Sequence, residues 1–199
     1  MKKLLTSSIL ALGIAGFMAG CNQQPQPQKP NFEQCQIDGS AAPQWVCDGG
    51  ATMEGGIFAV GSAEKSPMGI SFQRTEATAA ARDALAREIK IKVANMFKQF
   101  QATTGIGDAQ TAEKATQNVS KQVAQATLEG SKVMKTWMSP KGTLYVLVGM
   151  PDPKAVKEEV KKAVKTTFHN DEALWQEFKA KKADQELDAA VEKAFGNNK

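Results

Sequence analysis

The chain has 199 residues, of which 42% are hydrophobic and 23% are charged, and its formal net charge is +4 at pH 7. This length suits one domain with extensions. The near balance of charges lacks the strong basic excess of proteins that bind nucleic acids, so we expect no nucleic-acid partner.

The first 20 residues have the features of an export signal. Lys2 and Lys3 provide a positive start, an apolar stretch follows, and small residues at 19–20 precede Cys21. This order is typical of a secretory signal peptide, and small residues directly before a cysteine match the bacterial lipobox. The apolar stretch is shorter than the ~20 residues that span a bilayer, which disfavours a retained transmembrane helix. We therefore predict that Cys21 is lipidated and that acyl chains such as palmitate anchor the mature chain.

The residues after the cysteine predict a location and a tether. An Asp at the position of Asn22 retains lipoproteins at the inner membrane in enteric-type sorting, so Asn22 favours the outer membrane. Residues 22–31 contain no apolar side chain and are rich in Gln and Pro. Such a segment is too polar to fold and is stiffened by proline. We assign residues 21–42 to a polar tether.

Two cysteines, Cys35 and Cys47, remain after lipidation. An exported protein experiences an oxidising compartment, so we predict a Cys35–Cys47 disulfide. Closure of such a small loop contributes about 3 kcal/mol in the chain-entropy model. A zinc site is the poorer alternative, because two thiols and the distant His169 do not supply four ligands.

The apolar pattern then predicts a strand followed by two helices. A short buried strand is predicted over residues 57–60, and a helix over residues 71–101, where apolar residues recur at three- and four-residue steps. The first apolar positions of this helix include Ala77 and Ala81, whose small side chains allow close packing on a sheet. Asp108 is a good N-cap for the second helix.

A hairpin and two helices are predicted for the rest of the chain. The strands are residues 132–138 and 143–150, joined by Ser-Pro-Lys-Gly at 139–142, which suits a type I turn. Asp152 caps the next helix, and a last helix is predicted over residues 172–195. Because its middle is highly charged, this helix either extends beyond the domain or packs on a partner.

These elements predict the α+β class, with a small antiparallel sheet covered by helices on one face and a C-terminal helical extension. We divide the chain into a signal peptide (1–20), the tether (21–42), an α+β domain (43–151) and the extension (152–199). A sheet with three clear strands has unpaired edges, which favours self-association.

The residues provide little evidence for catalysis. The single histidine, His169, falls at a helix break, and Tyr145 lies inside an apolar strand; we predict no catalytic residue, cofactor or metal. Trp45 and Trp137 are interpreted as packing residues, with binding anchors as the alternative, because Trp is enriched in binding hot spots. Trp175 is a further candidate interface residue.

Several short motifs follow one another in a recognisable order. They are Pro43-Gln44-Trp45-Val46, Gly56-Ile57-Phe58-Ala59-Val60-Gly61, Ala77-x-x-x-Ala81-Arg82-x-x-Leu85-Ala86, Trp137 and Tyr145-Val146-Leu147-Val148. Over residues 43–150 the chain thereby resembles the LPP-twenty-type family of bacterial outer-membrane lipoproteins. The family is similar in layout to flagellum-associated lipoproteins, which form rings or disks around the motor. The resemblance implies an α+β domain with no cofactor and no catalytic residues.

Three functions follow from these features. The first is an envelope scaffold at the outer membrane that forms homo-oligomers, with a flagellum-associated ring or disk as the specific form. The alternative is a periplasmic regulator of a cell-wall enzyme, such as a peptidoglycan synthase, reached through the tether and the amphipathic tail. An envelope hydrolase is the least favoured. In all three the domain is expected to face the periplasm.

Overall fold

The computed structural model describes residues 35–51, 53 and 55–196. Cys21 and the signal peptide lie outside the described residues, so lipidation stays a prediction. In chain order the elements are β1 (Gln36–Ile37), β2 (Ser40–Ala41), α1 (Gln44–Cys47), β3 (Ile57–Ala63), α2 (Ile70–Thr104), α3 (Ala109–Gly130), β4 (Lys132–Met138), β5 (Leu144–Met150), α4 (Pro153–His169), α5 (Glu172–Ala180) and α6 (Asp184–Phe195).

The main sheet has three antiparallel strands in the order β3-β5-β4, so β5 lies in the centre. In its register Ala63 faces Leu144, and Leu144 faces Met138 on the other side. A bulge between Val133 and Lys135 interrupts the pairing of β4 with β5. The predicted hairpin of β4 and β5 and the α+β class are confirmed.

The long helix α2 packs unusually close to the sheet. A Cβ atom added at Gly61 of β3 would lie 2.1 Å from the backbone nitrogen of Ala81 and 2.3 Å from the carbonyl oxygen of Ala77. Ala77 and Ala81 are fully buried there. The close approach requires both the missing side chain on the strand and the alanines on the helix, as their spacing predicted.

The C-terminal helices belong to the same core as α2 and α3. Val160, Phe168, Phe178 and Val191 are buried in one hydrophobic cluster with the helix-facing residues of the sheet. The extension thus packs on the domain, and the charged positions of α4 and α6 pair with each other, as in the contact of 2.9 Å between Lys161 Nζ and Asp188 Oδ1.

The predicted single helix over residues 172–195 is divided into α5 and α6. The amide of Ala183 donates to the carbonyl of Phe178 at 3.1 Å, the amide of Lys182 donates to that of Lys179 at 3.1 Å, and Lys182 adopts a positive φ of 49°. This is the hydrogen-bond pattern of a Schellman helix end. Such ends usually carry glycine at the left-handed position, so a lysine there concealed the break in the sequence.

The second face of the sheet is also covered, which the sequence did not predict. Residues 35–51 and Met53 fold back over it and bury Trp45 and Val46 against Leu147 of β5. We call the described residues of this segment the cap. Its strands β1 and β2 lie within residues 21–42, the range predicted to be a polar tether.

Candidate interaction surfaces

A disulfide between Cys35 and Cys47 closes the cap, with Cα atoms 5.9 Å apart. Between the cysteines, β1 and β2 are joined by Asp38 and Gly39, whose φ angles are 55° and 76°. Two successive positive φ angles in a two-residue connection are the mark of a type I′ hairpin, for which Asp-Gly is a preferred sequence. This dipeptide was the signal that could have revealed the hairpin.

The apolar contacts of the cap are few but well buried. Trp45 is 7% exposed and packs with Val46 and Leu147. The partly buried residues around them are Ile37, Met53, Phe58, Val60, Trp137 and Tyr145. The cap therefore covers the side chains that β3, β4 and β5 direct away from α2.

A charged contact joins the cap hairpin to the turn between β4 and β5. Lys141 Nζ lies 3.6 Å from Asp38 Oδ1. A hydrogen bond from the Ser139 side chain, followed by the backbone and the charge of Lys141, lowers the pKa of Asp38 below its ordinary value of 3.8. The folded state thus favours the ionised carboxylate of Asp38.

The structure brings two of the three tryptophans together. Trp137 is half-buried, with its ring centroid 5.6 Å from that of Tyr145, in the same cluster as Trp45. Trp175 lies in α5, stacked on Phe178 at 5.6 Å, with Lys179 Nζ 5.8 Å from its ring. Trp45 contributes mainly to internal packing, and an interface role for any of the three stays a prediction.

In the part of the chain that the structure describes, neither of the two side chains considered for catalysis has a polar partner that would activate it. His169 is exposed at the end of α4, with its ring 5.2 Å from that of Trp175. Tyr145 packs against Trp137. Among the described residues, no group of His, Cys, Asp and Glu could hold a metal ion.

Exposed apolar side chains concentrate at one end of the domain. Met68 is 71% exposed, and Ile70 and Phe72 at the start of α2 are also exposed, as is Met138 at the end of β4 (47%). The Gln73 amide links α2 to β3 and to the β4–β5 turn at this end, because it donates to the carbonyls of Ala63 at 3.0 Å and Gly142 at 2.7 Å. We call Met68, Ile70, Phe72 and Met138 the apolar end.

The outer edge of β4 has no partner strand among the described residues. Val133 and Met134 are exposed there, but the strand also carries Lys132 and Lys135 and the bulge near Met134. Lysines and bulges on an edge strand are devices that discourage pairing with another strand. The outer edge of β4 is therefore poorly suited to pairing with a strand of another molecule.

The observed fold class and the comparisons define the kind of protein. A helix-covered antiparallel sheet stands at residues 43–150, and within the described part no helix is long and apolar enough to span a bilayer. A family model described as LPP20 lipoprotein matches residues 43–150. The chain therefore belongs to the LPP20 lipoprotein family. No curated protein matches the chain.

The matched range has clear structural limits. It begins one residue before α1 and ends with the last residue of β5. It therefore includes Cys47 but excludes Cys35, the β1–β2 hairpin and α4–α6. The disulfide and the packed C-terminal helices are the parts of this chain that lie outside the match.

Proposed function

We propose that this lipoprotein is an outer-membrane scaffold, anchored through Cys21, whose periplasmic domain assembles with further copies of itself. Family membership supports the lipid-anchored, non-enzymatic part of this proposal. The flagellum-associated lipoproteins that the chain resembles in layout suggest the specific form, a ring or disk needed for motility.

The apolar end is the observation that carries the scaffold proposal. Exposed apolar residues that stand alone are ordinary, but several of them at one end of a domain favour an interaction site there. Here the group combines Met68, Ile70 and Phe72 with Met138, and Gln73 holds the two elements that present them.

A second copy of the chain is the occupant that we favour. Copies anchored in one membrane share a plane and an orientation, so their effective concentration is high and a modest contact suffices. If the apolar end meets a different surface of the next copy, repeated contacts either close into a ring or extend without closing.

The test is cross-linking in cells of the tagged, lipidated chain, followed by mass spectrometry. We expect self-adducts at the apolar end, together with flagellar components. The Met68→Lys/Met138→Lys variant should lose the self-adducts, because a buried lysine would be desolvated without a partner. Ile91→Lys is the matched control, since Ile91 is exposed on α2 but lies outside the apolar end.

Two results would contradict the proposal. The first is a strictly monomeric wild-type chain together with intact motility after deletion. The second is recovery of cell-wall synthases in place of self-adducts, which would support the periplasmic regulator, with the family match then informing only the fold.

A further inference from the structure

The two outer edges of the main sheet differ in how well they are protected against an added strand. The edge strand β4 carries Lys132 and Lys135 and the bulge between Val133 and Lys135. The other edge strand, β3, has the sequence Ile-Phe-Ala-Val-Gly-Ser-Ala, which contains no charged residue and no proline, and its pairing with β5 is uninterrupted. The edge of β3 therefore lacks the lysines and the bulge that discourage strand addition at β4.

A cleft of about 310 Å³ lies along the outer edge of β3. Phe58, Ala59 and Val60 line it, together with residues of the cap and of α2. Ala59 packs with the helices, whereas Phe58 and Val60 pack with the cap. Because β5 occupies the inner side of β3, a space beside these three residues that reaches both layers lies at the free edge of the strand.

The backbone of β3 is available along this cleft. A strand directs alternate N–H and C=O groups to its two sides, so an edge strand presents a row of them to the outside. Among the described residues, only those of β5 form hydrogen bonds with the backbone of residues 57–62. The carbonyl of Ala63, at the end of the strand, accepts from the Gln73 amide. The outward-facing groups at residues 58–60 can therefore pair with a further strand.

Both walls of the cleft are acidic. The residues that form them come from the cap and from α2, and they are Asp48, Gly49, Ala51, Ala84 and Glu88. The small residues leave space, and no described basic residue lines the cleft. Glu88 Oε1 lies 3.8 Å from Lys92 Nζ, but both side chains are exposed, and such a pair contributes little free energy. The walls therefore favour a ligand that carries positive charge towards both layers.

We propose that the outer edge of β3 binds an extended segment of a partner protein that carries basic residues on both of its faces. The segment continues the sheet: main-chain hydrogen bonds provide affinity, and alternate side chains face the cap or α2. Neighbouring residues of a strand point to opposite faces. Two consecutive basic residues can therefore approach Asp48 on one side and Glu88 on the other.

A second copy of this chain is a less suitable occupant of the cleft. Pairing of two β3 edges about a twofold axis brings the acidic walls of both copies together, and like charges repel. The cap and α2 also flank the edge, so a single extended segment enters more easily than a sheet that carries its own layers. This proposal goes beyond the scaffold proposal, because the cleft shares no residue with the apolar end.

The experiment uses the full lipidated chain in neutral detergent and synthetic peptides with blocked ends. The basic peptide is Thr-Val-Lys-Arg-Val-Thr, the neutral peptide has Gln-Gln in place of Lys-Arg, and the methylated peptide is the basic one with methylated backbone nitrogens. We expect the basic peptide to bind most tightly in fluorescence anisotropy and to slow hydrogen exchange in residues 57–63. The methylated peptide should not bind, because it lacks the main-chain donors.

Three results would overturn the proposal. The first is no binding of the basic peptide. The second is equal binding of the basic and methylated peptides, which would show charge attraction without strand pairing. The third is protection of residues 132–138 in place of residues 57–63, which would place the peptide at the edge of β4.

Charge variants test the walls of the cleft. Asp48→Asn/Glu88→Gln should weaken binding of the basic peptide about fivefold, since two exposed ion pairs are lost, and should leave binding of the neutral peptide unchanged. The Asn side chain can still accept from the Gly50 amide, as Asp48 Oδ1 does at 2.8 Å. The matched control is Glu76→Gln/Asp83→Asn, which removes the same charges from exposed positions on α2. An equal loss in the control would show general charge attraction and would overturn the proposal.

A larger side chain in the cleft should block it. Ala51 is exposed on the cap wall, so Ala51→Lys adds both length and positive charge there. This variant should weaken binding of the basic peptide roughly tenfold or more, because like charges then meet inside the cleft. Gln44→Lys is the matched control, at an exposed cap position that does not line the cleft. Full affinity in Ala51→Lys would contradict binding at this edge.

Discussion

The two faces of β5 are buried by different means. On one face, which we call the helical side, Val146 and Val148 pack into a cluster built by the helices α2–α6. On the other, Leu147 packs against Trp45 and Val46 from a short segment that a disulfide closes. The helical side has enough apolar area to hold itself together. The cap buries little apolar area, so the disulfide provides stability that a larger apolar contact would otherwise provide.

This difference predicts that the two sides respond differently to damage. Changes on the helical side should lower the stability of the whole domain in one cooperative transition. Changes in the cap should open the cap first and leave the helical side folded, because local regions with few buried contacts open at lower free energy than the core.

The largest effect is expected for Phe178→Ala on the helical side. Phe178 is 1% exposed, and its ring lies 5.7 Å from that of Phe168 and 5.6 Å from that of Trp175. Its truncation should cost about 3–5 kcal/mol of unfolding free energy, measured by urea unfolding followed by circular dichroism. Phe72→Ala, at an exposed position, is the control. A loss no larger than that of the control would mean that α5 does not pack on the domain.

The Gly61→Ala variant should have the next largest effect, a loss of about 2–3 kcal/mol of unfolding free energy. The added methyl group would meet the backbone of Ala77 and Ala81, which cannot move aside as a flexible side chain would. The same urea experiment measures the change. Ser62→Ala, at the next position and exposed, should be nearly neutral, and equal stabilities of the two variants would argue against the close contact of α2 with β3.

Removal of the disulfide should lower the free energy of unfolding by a comparable or smaller amount, and the loss should affect the cap rather than the helical side. The half-cystines are separated by 12 residues, and the Cys35→Ser/Cys47→Ser variant should lose about 2–3 kcal/mol. We expect the tryptophan emission to shift at lower urea than the circular dichroism signal. Trp45→Phe in the same background assigns the shift to the cap. Coincident transitions would show that the cap and the helical side unfold together.

The smallest expected effect is on the dependence of the domain's stability on pH. Because the pKa of Asp38 is lowered on folding, its ionised form adds stability above the ordinary value of 3.8, and this contribution is lost as the pH falls through the lower folded value. Asp38→Asn should remove that part of the pH dependence, measured as urea midpoints from neutral to acid pH. Glu64→Gln, at an exposed carboxylate, should retain it. High salt should reduce the difference.

The sequence predicted most of the helical side, the β4–β5 turn and the disulfide of the cap because their signals are strong and local. The alanine spacing of α2, the Ser-Pro-Lys-Gly turn and the cysteine pair each have a direct physical meaning, and the structure contains the elements that they imply. The break between α5 and α6 was missed because Lys182, rather than a glycine, occupies the left-handed position.

The cap and the apolar end were less accessible to sequence reasoning. Strands of two residues give no periodicity, so β1 and β2 looked like tether, although Asp38-Gly39 marked their turn. Along β5, Tyr145 to Val148 are all apolar, and a strand buried on both faces does not reveal which side each residue contacts. The apolar end combines residues near the start of α2 with Met138 of β4, which only tertiary packing brings to the same end of the domain.

The disulfide also determines how the domain bears mechanical load. A pull on the N-terminal side reaches Cys35 first, and the sulfur–sulfur bond transmits it directly to Cys47. The β1–β2 hairpin and Trp45 lie outside that path, so they cannot be peeled from the sheet by tension while the bond is intact. Reduction would return the whole loop to the stretched chain. Single-molecule stretching should therefore show a greater extension for the reduced protein than for the oxidised one before the sheet yields.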